Sequence, residues 1–111
     1  MRQANRCAWC GCLVLLLLVA GCGKTHYVPE GVLEVRNAWG SDATVLGLEI
    51  QEIVGPNYLA YDVHAHPGDT VVVDVYPSLY DISVLWSDGG YETWWEVEIQ
   101  ECCTTTLEVH R

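Results

Sequence analysis

From Val32 to the C-terminus apolar residues recur at every second position, and no stretch carries an apolar stripe at the 3.6-residue spacing of a helix. Successive side chains of a strand point to opposite faces, so a period of two favours strands with one buried and one wet face. Leu33 and Val35 alternate with Glu34 and Arg36, Leu46, Leu48 and Ile50 with Glu49 and Gln51, and Leu59, Tyr61 and Val63 with Asp62 and His64. Val71, Val73 and Val75 alternate around Asp74, and Ile82, Val84 and Trp86 with Asp81 and Ser83. Tyr91, Thr93, Trp95, Val97 and Ile99 alternate with Glu92, Glu96 and Glu98, and Leu107 and Val109 with Thr106 and Glu108, which brings the expected strands to seven.

The segments between these runs carry turn chemistry. Gly55-Pro56-Asn57 and Pro67-Gly68-Asp69 join a fixed φ to a residue that tolerates positive φ. Ser87-Asp88-Gly89-Gly90 contains the Asp-Gly pair of a two-residue hairpin. The expectation is an all-β domain, a seven-stranded antiparallel sandwich of immunoglobulin-like type over residues 32–111. So short a domain has a marginal core, which gives its large aromatic side chains weight. Strict alternation places Trp86 and Trp95 inside with Val73, Val84 and Val97. It turns Trp94 and Tyr76 outward, with Leu85 and Val72 on outward faces as well.

The N-terminal residues have a different character. Arg2 and Arg6 precede an unbroken apolar run at residues 13–20, and Gly21-Cys22 follows at once. This is the basic, apolar, small-residue order of a signal peptide. Eight apolar residues rise only about 12 Å as a helix against roughly 30 Å of bilayer hydrocarbon, too little to span it. Leu18-Val19-Ala20-Gly21-Cys22 resembles the bacterial lipobox, in which an apolar residue, a small residue and Gly or Ala precede a cysteine. The resemblance implies a signal helix within residues 1–21 that is cleaved before Cys22, diacylglyceryl on the Cys22 thiol, and an acyl chain such as palmitate on the new amino group. Each buried methylene contributes about 0.8 kcal/mol, so two or three chains hold a protein firmly to a bilayer. Residues 22–31 read as a tether that reaches no more than roughly 30 Å.

Charge fits a lipid anchor rather than an electrostatic one. All fifteen acidic residues follow Cys22, against Lys24, Arg36 and Arg111 alone among the basic ones, which leaves the mature chain near −12. Such a surface is repelled by anionic headgroups and by phosphates, which excludes nucleic acid as a partner. Cationic ligands, metal ions and basic protein faces stay open. In lipoproteins that resemble this one, Asp directly after the lipidated cysteine retains the protein in the inner membrane. Gly23 stands there instead, so the expected location is the cell envelope, at the outer membrane in a source with two membranes.

A second resemblance covers roughly residues 32–109. Val35-Arg36-Asn37, Pro67-Gly68-Asp69-Thr70, Leu79-Tyr80-Asp81-Ile82 and Ser87-Asp88-Gly89 are similar to the opening strand, Pro-Gly turn, Tyr-Asp strand start and Asp-Gly hairpin of export-associated bacterial β-sandwich modules. The likeness implies the fold and no particular activity. Pro77-Ser78 and Cys102-Cys103 depart from that pattern.

Cys102 and Cys103 are the thiols that remain once the leader is gone and Cys22 is a thioether, and an exported protein meets an oxidising compartment. Adjacent Cα atoms lie about 3.8 Å apart, below the usual disulfide range, so a vicinal bond would be strained. A vicinal disulfide, half-buried thiols and bonds to another chain are the alternatives. Asp62-Val63-His64-Ala65-His66 places a carboxylate and two imidazoles at alternate strand positions, a pattern that chelates Zn²⁺ or Cu²⁺ once a further ligand joins. A solvated polar face accounts for the same residues with no cofactor. There is no Gly-x-Ser-x-Gly elbow, phosphate loop or paired-carboxylate framework. The expectation is a non-enzymatic, membrane-anchored lipoprotein whose domain serves protein interaction or envelope structure. The alternative is a metal-handling or thiol-redox lipoprotein using His64, His66, Cys102 and Cys103.

Overall fold

The structure, a computed structural model of the chain, describes residues 2–7 and 30–111. The strands in chain order are β1 (Arg2–Cys7), β2 (Gly31–Asn37), β3 (Val45–Glu52), β4 (Tyr58–Ala65), β5 (Thr70–Val75), β6 (Ser78–Trp86), β7 (Tyr91–Ile99) and β8 (Cys103–Val109). All seven runs of alternation are strands, and no helix occurs among the described residues. The strands form a two-sheet β-sandwich, with orders β1-β8-β2-β5 and β4-β3-β6-β7. The chain changes sheet between β2 and β3, β4 and β5, β5 and β6, and β7 and β8, so each sheet is assembled from distant segments.

Two features depart from a simple antiparallel sandwich. β2 and β8 pair in parallel, from Val32 opposite Thr104 to Asn37 opposite Val109, while the other ladders are antiparallel. Residues 2–7 form a strand. They lie antiparallel on the outer edge of β8, from Arg2 opposite Glu108 to Cys7 opposite Cys103, and so occupy backbone groups that an edge strand leaves unpaired. The lipobox-like residues 18–22 lie outside the described residues, as does the tether before Glu30.

The core fills the space between the sheets. Leu33, Val35, Val73, Val75, Leu107 and Val109 come from one sheet, and Leu48, Ile50, Tyr80, Ile82, Val84 and Trp86 are prominent from the other. Val73, Val84, Trp86 and Val97 are buried together, as the alternation requires. Trp95 is not with them. It is 71% exposed, and Trp94 takes the inward position at 8%.

A β-bulge explains the exchange. Tyr80 pairs with Val97 and Ile82 with Trp94, so Trp95 and Glu96 together face the single residue Asp81. Glu96 carries φ 55° and its N–H donates to Asp81 Oδ1 at 3.0 Å, which fixes the extra residue in place. The inserted residue reverses the face parity of β7. Tyr91, Thr93 and Trp95 therefore point outward, while Trp94, Val97 and Ile99 point in. A second irregularity, between Val45 and Gly47, makes Val45 rather than Leu46 the buried partner of Leu48 and Ile50.

The recurrent motifs have structural duties. Asn37 is fully buried, and its side-chain amide donates to the carbonyls of Ala43 at 2.8 Å and Ala65 at 2.9 Å, which ties the end of β2 to the following loop and to the end of β4. Gly68 (φ 94°) reaches back with its N–H to the Asn37 carbonyl at 2.7 Å. Tyr80 is fully buried and its hydroxyl donates to the Tyr76 carbonyl at 2.5 Å, the tyrosine corner of immunoglobulin-type sandwiches. The Asp-Gly hairpin has three loop residues rather than two. The Gly89 N–H donates to the Trp86 carbonyl at 2.9 Å and the Trp86 N–H to the Gly90 carbonyl at 2.8 Å, with Gly89 at φ 90°.

Candidate functional site

Outward residues of the β4-β3-β6-β7 sheet are set by register. Antiparallel partners share a face, so Glu49 lies beside Ala60 on one side and Ser83 on the other, and Ser83 lies beside Thr93. One row along, Gln51 stands between Tyr58 and Asp81, with Trp95 following on β7. In the opposite direction Gly47 stands between Asp62 and Leu85, and Leu85 faces Tyr91. With strands about 4.8 Å apart and residues of one face about 6.8 Å apart along a strand, this patch measures roughly 14 Å each way.

Its chemistry is uneven. Tyr58, Tyr91, Trp95 and Leu85 are exposed, although a sheet face meeting only water has no use for so many large apolar groups. Glu49, Asp62 and Asp81 are its ionisable carboxylates, and neither Arg36 nor Arg111 belongs to it. Arg36 is on β2 and bonds Thr70, and Arg111 is held by Asp88 at 2.8 Å and Glu92 at 3.6 Å beyond the β6–β7 hairpin. Small residues keep the centre low. Ser83 and Thr93 share a hydrogen bond at 2.8 Å on the floor of a shallow concavity of ≈ 210 Å³ between Tyr58, Tyr91 and Trp95. A second concavity of ≈ 370 Å³ lies on the other side of Glu49, toward Asp62 and Leu85.

Glu49 is held between the two. The Tyr58 hydroxyl donates to Glu49 Oε2 and the Tyr91 hydroxyl donates to Glu49 Oε1 at 2.8 Å. Hydrogen bonds to the charged form, that of Tyr58 first and that of Tyr91 second, hold the Glu49 carboxyl below the usual glutamate range. The same contact raises the Tyr58 phenol above its ordinary value. The stabilisation linked to Glu49 is therefore complete above the ordinary glutamate pKa of about 4.3 and is lost as pH falls through the lowered folded value. Tyr58→Phe is expected to move the Glu49 midpoint upward in a carboxyl ¹³C NMR titration, and Tyr91→Phe to move it less. An unchanged midpoint in both variants would remove the two hydroxyls as its cause.

The residues singled out in the sequence have other positions. Asp62 is on the patch described above. His64 and His66 are both exposed, with ring centroids 5.7 Å apart and tilted by 54°. His66 turns its Nδ1 toward Asp69 at 3.4 Å, and its backbone N–H donates to Asp69 Oδ2 at 3.0 Å, so its carboxylate neighbour is Asp69 rather than Asp62. Among the described residues no three His, Cys, Asp or Glu side chains converge as a metal centre. Cys103 is buried and disulfide-bonded, and Cys102 lies outside that bond, so the vicinal alternative is not formed. Cys102 instead occupies the β7–β8 turn at φ 57°, where its N–H donates to the Glu30 carbonyl at 3.1 Å. Cys22 lies outside the described residues.

The outward apolar residues anticipated from alternation divide between two surfaces. Leu85 joins Tyr91 on the Glu49 face, whereas Val72 and Tyr76 belong to β5 and the residue after it, on the other sheet. The Glu49, Tyr58, Tyr91 and Trp95 cluster escapes inspection of single strands because each contributes one or two members, and the bulge conceals Trp95. No protein-family model matches the chain, and neither a curated protein nor a solved structure matches it significantly.

Proposed function

We propose that the protein is an exported bacterial lipoprotein, held to the envelope by acyl chains on Cys22, whose sandwich is a non-enzymatic docking module. The observation that carries the docking role is the Glu49 face. Tyr58, Tyr91 and Trp95 stand exposed around a hydrogen-bonded carboxylate on a rigid sheet, the composition of a surface that becomes covered by a partner. The anchor rests on residues 13–22, whose apolar run ends directly in Gly21-Cys22. With the mature chain near −12, acyl chains rather than basic residues supply membrane affinity. Gly23, in the position where Asp would retain a lipoprotein in the inner membrane, supports an outer-membrane location in a two-membrane source.

On this reading β1 belongs to the precursor: its removal bares the outer edge of β8, and the Cys103 disulfide, whose partner is not Cys102 and so is a leader cysteine or Cys22 itself, is absent from the mature lipoprotein, which leaves Cys103 a thiol. Cys22→Ser is expected to abolish incorporation of labelled palmitate and to leave unprocessed precursor. Normal maturation and unchanged membrane fractionation of that variant would defeat the anchor.

A further inference from the structure

We infer that the Glu49 face receives the side-chain cations of an extended Arg- or Lys-bearing segment of a partner protein; this rests on the docking role proposed above and names its ligand chemistry. Three carboxylates, Glu49, Asp62 and Asp81, share a patch roughly 14 Å across, and among the described residues no Lys or Arg lies on it. The Tyr58 and Tyr91 hydroxyls donate to Glu49, which favours its charged form and fixes where that charge sits. The ring faces of Tyr58, Tyr91 and Trp95 carry negative quadrupole potential, and a guanidinium or ammonium gains from both kinds of neighbour at once. A neutral saccharide would also stack on these rings but would leave the carboxylates uncompensated.

The dimensions favour a segment over a single small cation. Concavities of ≈ 210 Å³ and ≈ 370 Å³ flank Glu49 on the same face. Alternate residues of an extended chain project to one side about 6.8 Å apart, so two basic residues two positions apart straddle the Glu49–Tyr91 pair. The acidic surface, near −12 for the mature chain, steers such a segment toward it.

The test uses the full chain in detergent micelles, followed by amide NMR and calorimetry with an alternating Arg-Thr octapeptide, its Gln-Thr counterpart, spermine and a neutral N-acetylglucosamine hexamer. The Arg-Thr peptide is expected to bind with shifts centred on Glu49, Ser83, Thr93 and Trp95, and to weaken as salt rises. Glu49→Gln and Trp95→Ala should each lower its affinity about two- to fivefold, the scale of one exposed ion pair or cation–π contact, while Glu34→Gln on the other sheet leaves it unchanged. Undiminished affinity in Glu49→Gln, or equal affinity for the Gln-Thr peptide, overturns the cation assignment. Spermine binding as tightly as the peptide overturns the assignment to a protein segment. Saccharide binding at this face with no response to the peptide overturns the ligand class and retains the docking role. No shift on the face with any probe overturns both.

Discussion

Trp86→Ala is expected to destabilise the domain by about 3–5 kcal/mol, and Trp95→Ala by less than about 1 kcal/mol. Both residues are tryptophans at outwardly similar positions in alternating strands, so the comparison isolates burial. Trp86 is 1% exposed and belongs to the core cluster, with Val45 as its partner on β3 and Val84 beside it on the same face of β6. Truncation removes the largest side chain of a thin core and leaves a cavity that two rigid sheets cannot collapse into. It also takes away the Nε1–H that donates to Glu92 at 2.8 Å beside Arg111. A domain of this size is stabilised by roughly 5–15 kcal/mol in all, so the loss is a large share of it. Trp95 gives up far less buried area, because the bulge at Glu96 has turned it to solvent. Urea denaturation of the two variants beside wild type measures both values. A loss in Trp95→Ala as large as that in Trp86→Ala would mean that β7 runs without the bulge and buries Trp95.

Asn37→Ala should cost about 2–4 kcal/mol although it removes no apolar packing. The Asn37 amide satisfies the carbonyls of Ala43 and Ala65 inside the sandwich, and alanine leaves both without their donor. Each buried polar group so stranded costs roughly 1–3 kcal/mol unless water or a backbone shift reaches it. Asn37→Asp sharpens the experiment, since it preserves shape while replacing the donors with an acceptor at a site of 0% exposure. It should destabilise at least as much as alanine at neutral pH and recover part of the loss in acid, when the carboxyl is protonated and can donate once. Equal stability of wild type and Asn37→Asp across that pH range would show that the two hydrogen bonds contribute nothing net.

Trp86, Trp95 and Asn37 mark what a sequence can and cannot convey. Strand positions were legible because burial on one face imposes a period of two, and Leu33, Val73, Val84 and Leu107 obey it. Turns at Pro67-Gly68 and Asp88-Gly89 were legible because positive φ favours glycine. The β7 bulge was not, since its left-handed residue is Glu96, which carries no such signature, and the carboxylate that secures it lies on another strand at Asp81. One inserted residue then reassigns Trp94 and Trp95 between core and surface. The parallel pairing of β2 with β8 joins residues some seventy positions apart, and alternation within each strand says nothing about its neighbour. The candidate site suffers from both effects, because Glu49, Tyr58, Tyr91 and Trp95 become neighbours only through cross-strand register. The His64 and His66 pair, by contrast, was visible as a local pattern, and its local turn gives His66 to Asp69.

We propose above all that the mature protein begins at a lipidated Cys22 and carries the β2–β8 sandwich on that anchor. Intact mass spectrometry of the protein extracted from membranes, with sequencing of its first peptide, tests it most directly. The predicted result is a chain lacking residues 1–21, with its mass increased by a diacylglyceryl group on Cys22, with or without a further acyl chain on the amino group. A chain that starts at Met1, retains β1 and bears no lipid would contradict it.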